Sequence, residues 1–141
     1  TTLQSNANAY VGKVVIPASV VYEGKEYAVK EIGHSAFRSC TELSEVQLPE
    51  GITTIAYSAF VKCSALASVN IHSTITKIEN NIFEGCTSLE HITIPATVET
   101  LDEEIFKDCK MMKSAGAMSA EIPILYDSIE NFFHCYNNKG I

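Results

Sequence analysis

The chain has no tryptophan, only four prolines and seven glycines in 141 residues, and ten basic side chains against 17 acidic ones. The net charge of −7 and the lack of a clustered basic face argue against binding nucleic acid or an anionic membrane, since both attract positive charge. No apolar run approaches the ~20 residues a membrane helix needs, so no direct membrane insertion is expected. Thr1–Ala9 is polar and lacks the apolar core of a secretory signal; an exported chain would have lost its signal ahead of this residue. There is no C-x-x-C pair, no glycine-rich phosphate loop, no G-x-S-x-G and no H-E-x-x-H. Catalysis, a cofactor and a bound metal are therefore not expected.

What the sequence does have is a period. Apolar residues are 46% and charged residues 19%, a globular balance for one domain or part of a larger array. Phe37, Phe60, Phe83 and Phe106 stand 23 residues apart, and so do Cys40, Cys63, Cys86 and Cys109. The columns Val29/Ile52/Ile75/Val98, Ile32/Ile55/Ile78/Leu101 and Leu43/Leu66/Leu89/Met112 keep the same step. Val46/Val69/Ile92 and Leu48/Ile71/Ile94 complete the set. A fixed period of this length marks a solenoid whose units bury their apolar faces only against neighbours.

Within a unit, Val46-x-Leu48, Val69-x-Ile71 and Ile92-x-Ile94 alternate with period two, the pattern of a short strand buried on one face. Pro49 and Pro95 follow and end the ladder, because proline has no N–H to donate. Ser58-Ala59-Phe60-x-x-Cys63 has the i, i+3 spacing of one helical or 3₁₀ turn. The Cys-x-x-Leu-x-x-Val-x-Leu-Pro run with its Ala-Phe-x-x-Cys signature resembles the BspA-type leucine-rich repeat. That resemblance implies a right-handed β/α superhelix of short parallel strands with short helical or 3₁₀ turns. It departs from other leucine-rich repeats in lacking an Asn ladder after the strand, where Gly51, Thr74 and Thr97 stand. It also implies a secreted or surface protein of host-associated bacteria or parasitic protists, adhering to host or neighbouring-cell proteins without catalysis. A structural spacer or self-associating scaffold within a larger surface protein is the alternative.

Four regions follow: a polar tail over 1–9, a half-coil with a capping hairpin over 10–28, the 23-residue coils over 29–117, and a degenerate last coil with a C-terminal cap over 118–141. The insert Val20–Ala28 reads as a hairpin about Gly24. At the back, Met112-x-x-Ala115-x-Ala117 keeps the strand spacing with smaller side chains, and Phe132-x-x-Cys135 repeats the Phe/Cys pair. Ile122–Tyr126 resembles the strand that closes many members of the family.

Four cysteines in one column carry parallel Cβ vectors, which suits buried free thiols better than disulfides. His34, His72, His91 and His134 read as surface residues, with His72 and His91 too far apart to share a metal. His134 beside Cys135 could suggest a nucleophile pair, but neighbours on an extended segment point oppositely. Asp102-Glu103-Glu104 reads as a solvated turn. The outward row of the strands, Glu45 and Gln47, Ser68 and Asn70, His91 and Thr93, is the candidate face for protein ligands, though it carries no aromatic anchor.

Overall fold

The computed structural model describes residues 9–117, 120–123, 133–134 and 137–138. Among the described residues eleven short strands follow one another. They are β1 (Gly12–Val15), β2 (Ser19–Tyr22), β3 (Lys25–Ala28), β4 (Glu31–Ile32), β5 (Leu43–Gln47), β6 (Thr54–Ile55), β7 (Ser68–Val69), β8 (Lys77–Ile78), β9 (His91–Ile94), β10 (Ser114–Ala117) and β11 (Ala120–Pro123). The first coil, 29–51, carries β4 and β5, the second, 52–74, β6 and β7, and the third, 75–97, β8 and β9. The fourth begins at Val98 and carries β10. The period-two residues form the strands because β-branched side chains fit a pleated, half-buried surface.

The expected interior columns are buried except at Val29 and Ile71, which are half-buried against the core. Phe60, Cys63, Leu66, Ile52 and Ile55 are fully buried, as are Phe83, Cys86, Leu89, Ile75 and Ile94. The rings lie face to face: Phe37 and Phe60 have centroids 5.3 Å apart, Phe60 and Phe83 5.8 Å, Phe83 and Phe106 6.1 Å. Tyr10 closes the front of this stack edge-on at 4.9 Å. At the back the next ring is Phe133, 6.1 Å from Phe106, one position beyond the Phe132 that the Phe/Cys spacing suggests. The ring step from Phe106 is therefore 27 residues and not the expected 26. Phe132, Cys135 and Tyr126 lie outside the described residues.

The corner at each Phe is a chain of turns, not a continuous helix. Ala59, Val61 and Cys63 donate their N–H groups to Ala56, Ser58 and Phe60, the i→i−3 bonds of the expected turn. Ser58 and Lys62 sit at φ 57 and 60, and the equivalent Ser35 and Ser39 at φ 55 and 61, so left-handed residues interrupt the helical sense. The interruption has a consequence: alternate N–H groups point along the solenoid axis. Phe37 N–H donates to Ala59 O at 2.8 Å, Phe60 N–H to Ile82 O at 3.1 Å and Phe83 N–H to Ile105 O at 3.1 Å.

The cysteines belong to this corner. Cys63 Sγ donates to Phe37 O at 2.9 Å, Cys86 Sγ to Phe60 O at 3.1 Å and Cys109 Sγ to Phe83 O at 3.0 Å. Each of those carbonyls also accepts the N–H of its own coil's cysteine, so both lone pairs are used. Cys40, Cys63, Cys86 and Cys109 are free thiols. Burial pushes Cys63 and Cys109 up to about 12 and raises Cys86 well above its ordinary value, which keeps the S–H proton in place as a donor.

Among the described residues three ladders join the coils, and the Phe corner alone runs without a break from the first coil to the fourth. On the strand face, β1, β5 and β7 form one parallel sheet, and β9 and β10 another that β11 closes antiparallel. The expected continuous sheet thus divides between the second and third coils. β7 stops at Val69 because the Asn70 side chain takes the place of a neighbouring strand: its Oδ1 accepts Leu48 N–H at 2.7 Å and its Nδ2 donates to Leu48 O at 3.3 Å. On the opposite side β4, β6 and β8 pair, and the ladder ends there. The Val20–Ala28 insert is the expected hairpin, β2 and β3 antiparallel about Glu23 and Gly24, whose φ of 49 and 74 make the turn that matches strand twist. Its side chains stand exposed from Val20 to Ala28.

Two outcomes follow. Phe83→Ala should cost about 3–5 kcal/mol in urea unfolding, since it removes the middle of the ring stack; a loss near zero would mean the stack does not carry the fold. In a Cys135→Ser background, a chromogenic disulfide reagent at pH 8 should leave the four repeat thiols unlabelled in the native protein and label all of them in denaturant, a ratio that rapid native labelling would contradict.

Candidate functional site

The break in the strand sheet opens a cleft of 290 Å³ lined by Val69, Asn70, Ile71, His91, Ile92 and Thr93. Three of the six predicted face residues, Asn70, His91 and Thr93, meet there. The other three stand beside it. Glu45 pairs with Lys13 Nζ at 3.1 Å and accepts from Gln47 Nε2 at 3.2 Å, so these two are tied to each other and to β1. Ser68 is exposed at the start of β7.

Asn70 does more than face solvent. Besides its grip on Leu48, its Nδ2 lies 2.8 Å from His72 Nε2, and that same ring nitrogen lies 2.8 Å from Leu48 O. A histidine replaces proline at this position, so the polar end of the second coil is drawn onto the first. The cleft lies where Asn70 and His72 turn back towards the first coil and β9, paired with β10 on its other side, has no partner strand on the side of the second coil.

On the far wall His91 Nδ1 is 2.6 Å from Ser114 Oγ, and Glu90 Oε2 is 3.9 Å from His91 Nε2. These are the residue types of a Ser/His/acid triad, but the serine is only 5% exposed and offers no approach to a substrate carbonyl. The carboxylate is held by Lys113 Nζ at 2.7 Å, which keeps Glu90 below the usual carboxylate range. The trio tethers the third coil to the fourth. Among the described residues no group of three His, Cys, Asp or Glu side chains could hold a metal ion, and no helix is long and apolar enough to cross a membrane.

His34 stacks on Tyr57 with centroids 5.3 Å apart, and His134 is exposed, its Nδ1 3.3 Å from Asn138 Nδ2. Sequence reasoning missed Ser114 as a partner of His91, although the two are one 23-residue step apart. It also missed Asn70 and Asn137 as clamps. Asn137 Oδ1 accepts Leu101 N–H at 2.9 Å and its Nδ2 donates to Leu101 O at 3.2 Å, the geometry Asn70 uses on Leu48. An amide presents one acceptor and two donors on one plane, so it can stand in for a neighbouring peptide.

Asn70→Leu keeps the bulk and removes both bonds, so it should cost about 1–3 kcal/mol, whereas the exposed Thr93→Ala should stay within about 0.5 kcal/mol. Urea unfolding of the two variants side by side measures the contrast, and equal losses would show that the clamp is not structural.

A model of the BspA type leucine rich repeat region matches the chain in six copies over residues 14–138. No curated protein matches it. Among solved structures, a leucine-rich repeat protein from Bacteroides capillosus is 32% identical over 76% of this chain and 77% of its own, with a TM-score of 0.69. One from Bacteroides ovatus is 27% identical with a TM-score of 0.63, covering 75% of this chain, which spans 33% of that protein. A leucine rich cell surface protein from Faecalibacterium prausnitzii, 24% identical over 74% of this chain and 35% of its own with a TM-score of 0.56, shares the fold. By a match over far more than half its length, and by the Phe and Cys columns that hold its coils together, the chain belongs to the BspA-type leucine-rich repeat family.

Proposed function

We propose that the chain is a non-catalytic protein-binding module of a secreted or cell-surface protein, adhering to host or neighbouring-cell proteins through the strand face. The cleft between β7 and β9 carries this reading. At 290 Å³ it is small and open to solvent, a size that one protruding side chain of a protein partner would fill. Val69 and Ile92 form its apolar floor, Asn70, His91 and Thr93 its polar rim, and Ser68, Gln47 and Glu45 extend the polar surface beyond it. A rigid scaffold with a small anchor pocket and a polar surround is the usual anatomy of a protein-recognition surface. The solved relative named as a cell surface protein supports the location.

A second reading, self-association or a spacer role, draws on the front of the solenoid, where Val11, Val15, Val21 and Tyr22 are 60, 63, 73 and 65% exposed.

Surface-plasmon measurements against immobilised extracellular-matrix proteins test the first reading. Thr93→Arg, which fills the cleft without disturbing the Asn70 clamp, should weaken binding by about tenfold or more. Unchanged binding in that variant would move the contact off the strand face. Sedimentation that shows a concentration-dependent dimer, abolished by Val21→Lys, would favour self-association.

A further inference from the structure

The second broken ladder opens a larger groove on the opposite side of the solenoid. Between the second and third coils this ladder is intact: Thr53 O accepts the N–H groups of Thr76 at 3.0 Å and Lys77 at 3.2 Å, and Ile55 O accepts that of Glu79 at 3.0 Å. One coil further on, the same register would join Thr76 O and the Ile78 peptide to the 99–102 segment. Among the described residues no such hydrogen bond forms. Leu101 instead turns both its peptide groups to Asn137. The result is a groove of 720 Å³ with Thr76 and Ile78 on one wall and Glu99 and Thr100 on the other.

An aromatic ring lies at its end. His34 covers one face of Tyr57, but the next residue in that column is Asn80, which has no ring to cover the other. Tyr57 is accordingly 45% exposed and lines the groove together with Asn80.

Three features select the ligand. Lys77 is neutralised by Glu79, so Glu99 is the uncompensated charge on the lining and anions are disfavoured. The lining mixes polar and apolar surface in nearly equal parts, with the exposed Tyr57 ring as its one flat apolar face, so it suits an amphipathic ligand better than a purely hydrophobic side chain. An inserted peptide strand would need the coils about 4.8 Å further apart along this edge, whereas Thr97 Oγ1 donates to Ile75 O at 2.7 Å and holds the third and fourth coils together where the groove begins. What fits is a ring with one flat C–H face and a periphery of hydroxyls. The face lies on Tyr57. For the hydroxyls the lining offers Thr76 O, Ile78 O and the Glu99 carboxylate as acceptors, and Ile78 N–H, the Asn80 amide and the Thr100 hydroxyl as donors.

We propose that this groove, between the third and fourth coils and separate from the strand face, is a binding site for a neutral saccharide. The test is saturation-transfer NMR with calorimetry on the whole chain, using maltotriose, cellotriose and chitotriose, with choline as a cationic control. At least one trisaccharide should receive saturation and give a measurable Kd. Tyr57→Ala should weaken that binding by about tenfold or more, Glu99→Gln by less, and Thr93→Arg on the other face not at all. Tyr57→Phe keeps the ring and its stack on His34 and should retain binding. No transfer to any of the three sugars, equal affinity in Tyr57→Ala, or binding of choline alone would overturn the assignment.

Discussion

At each phenylalanine corner, alternate N–H groups point along the solenoid axis and find an acceptor only in the next coil. The same corner leaves each Phe carbonyl with a second lone pair, and the cysteine thiol of the following coil fills it. Left-handed residues at Ser35, Ser58 and Asn81 make this possible by breaking what would otherwise be a self-satisfied helical turn. No coil can therefore satisfy its own backbone. Ring stacking and thiol bonding act at one place, and the unit that lacks a neighbour loses both.

Because this corner runs unbroken from Phe37 to Phe106, the other two ladders are free to fail. The strand ladder fails after β7, where Asn70 and His72 draw the second coil onto Leu48. The opposite ladder fails after β8, where Leu101 is turned to Asn137. Each failure leaves a cleft on a rigid frame, and the two clefts differ in chemistry. One is small, with an apolar floor and a polar rim, as a protein side chain would need. The other is larger, and its lining mixes the Tyr57 ring with hydroxyls, backbone carbonyls and the charged Lys77, Glu79 and Glu99. In both places it is a departure from the repeat, and not the repeat itself, that opens the cleft.

Much of this was legible in the sequence because burial repeats at a fixed step. The Phe and Cys columns, the strand positions, the hairpin about Gly24 and the shrunken strand at Ala115 are all consequences of side-chain size and polarity, which letters carry. The ladder breaks were not legible, since Val69 and Ile71 keep the strand pattern while the hydrogen bonds leave it. Apolar patterning reports which face is buried and is silent about which peptide an amide side chain replaces. Phe133 in place of Phe132 was hidden for a related reason: two adjacent rings offer the same chemistry, and the sequence alone does not choose between them. Tyr10 stood outside the repeat period, so its role as the front lid of the stack left no periodic signal. The thiol was recognisable as buried, whereas its use as a donor depends on a carbonyl 26 residues earlier in the chain.

Native-state hydrogen exchange at the axial N–H groups of Phe37, Phe60 and Phe83 tests the interdependence of the coils most directly. If each coil relies on its neighbours, the three amides should exchange with one common opening free energy, equal to that of global unfolding, and should respond to urea with one slope. Exchange of Phe60 through a separate, low-energy opening while Phe37 and Phe83 remain protected would show a winding able to come apart alone, and would contradict the account.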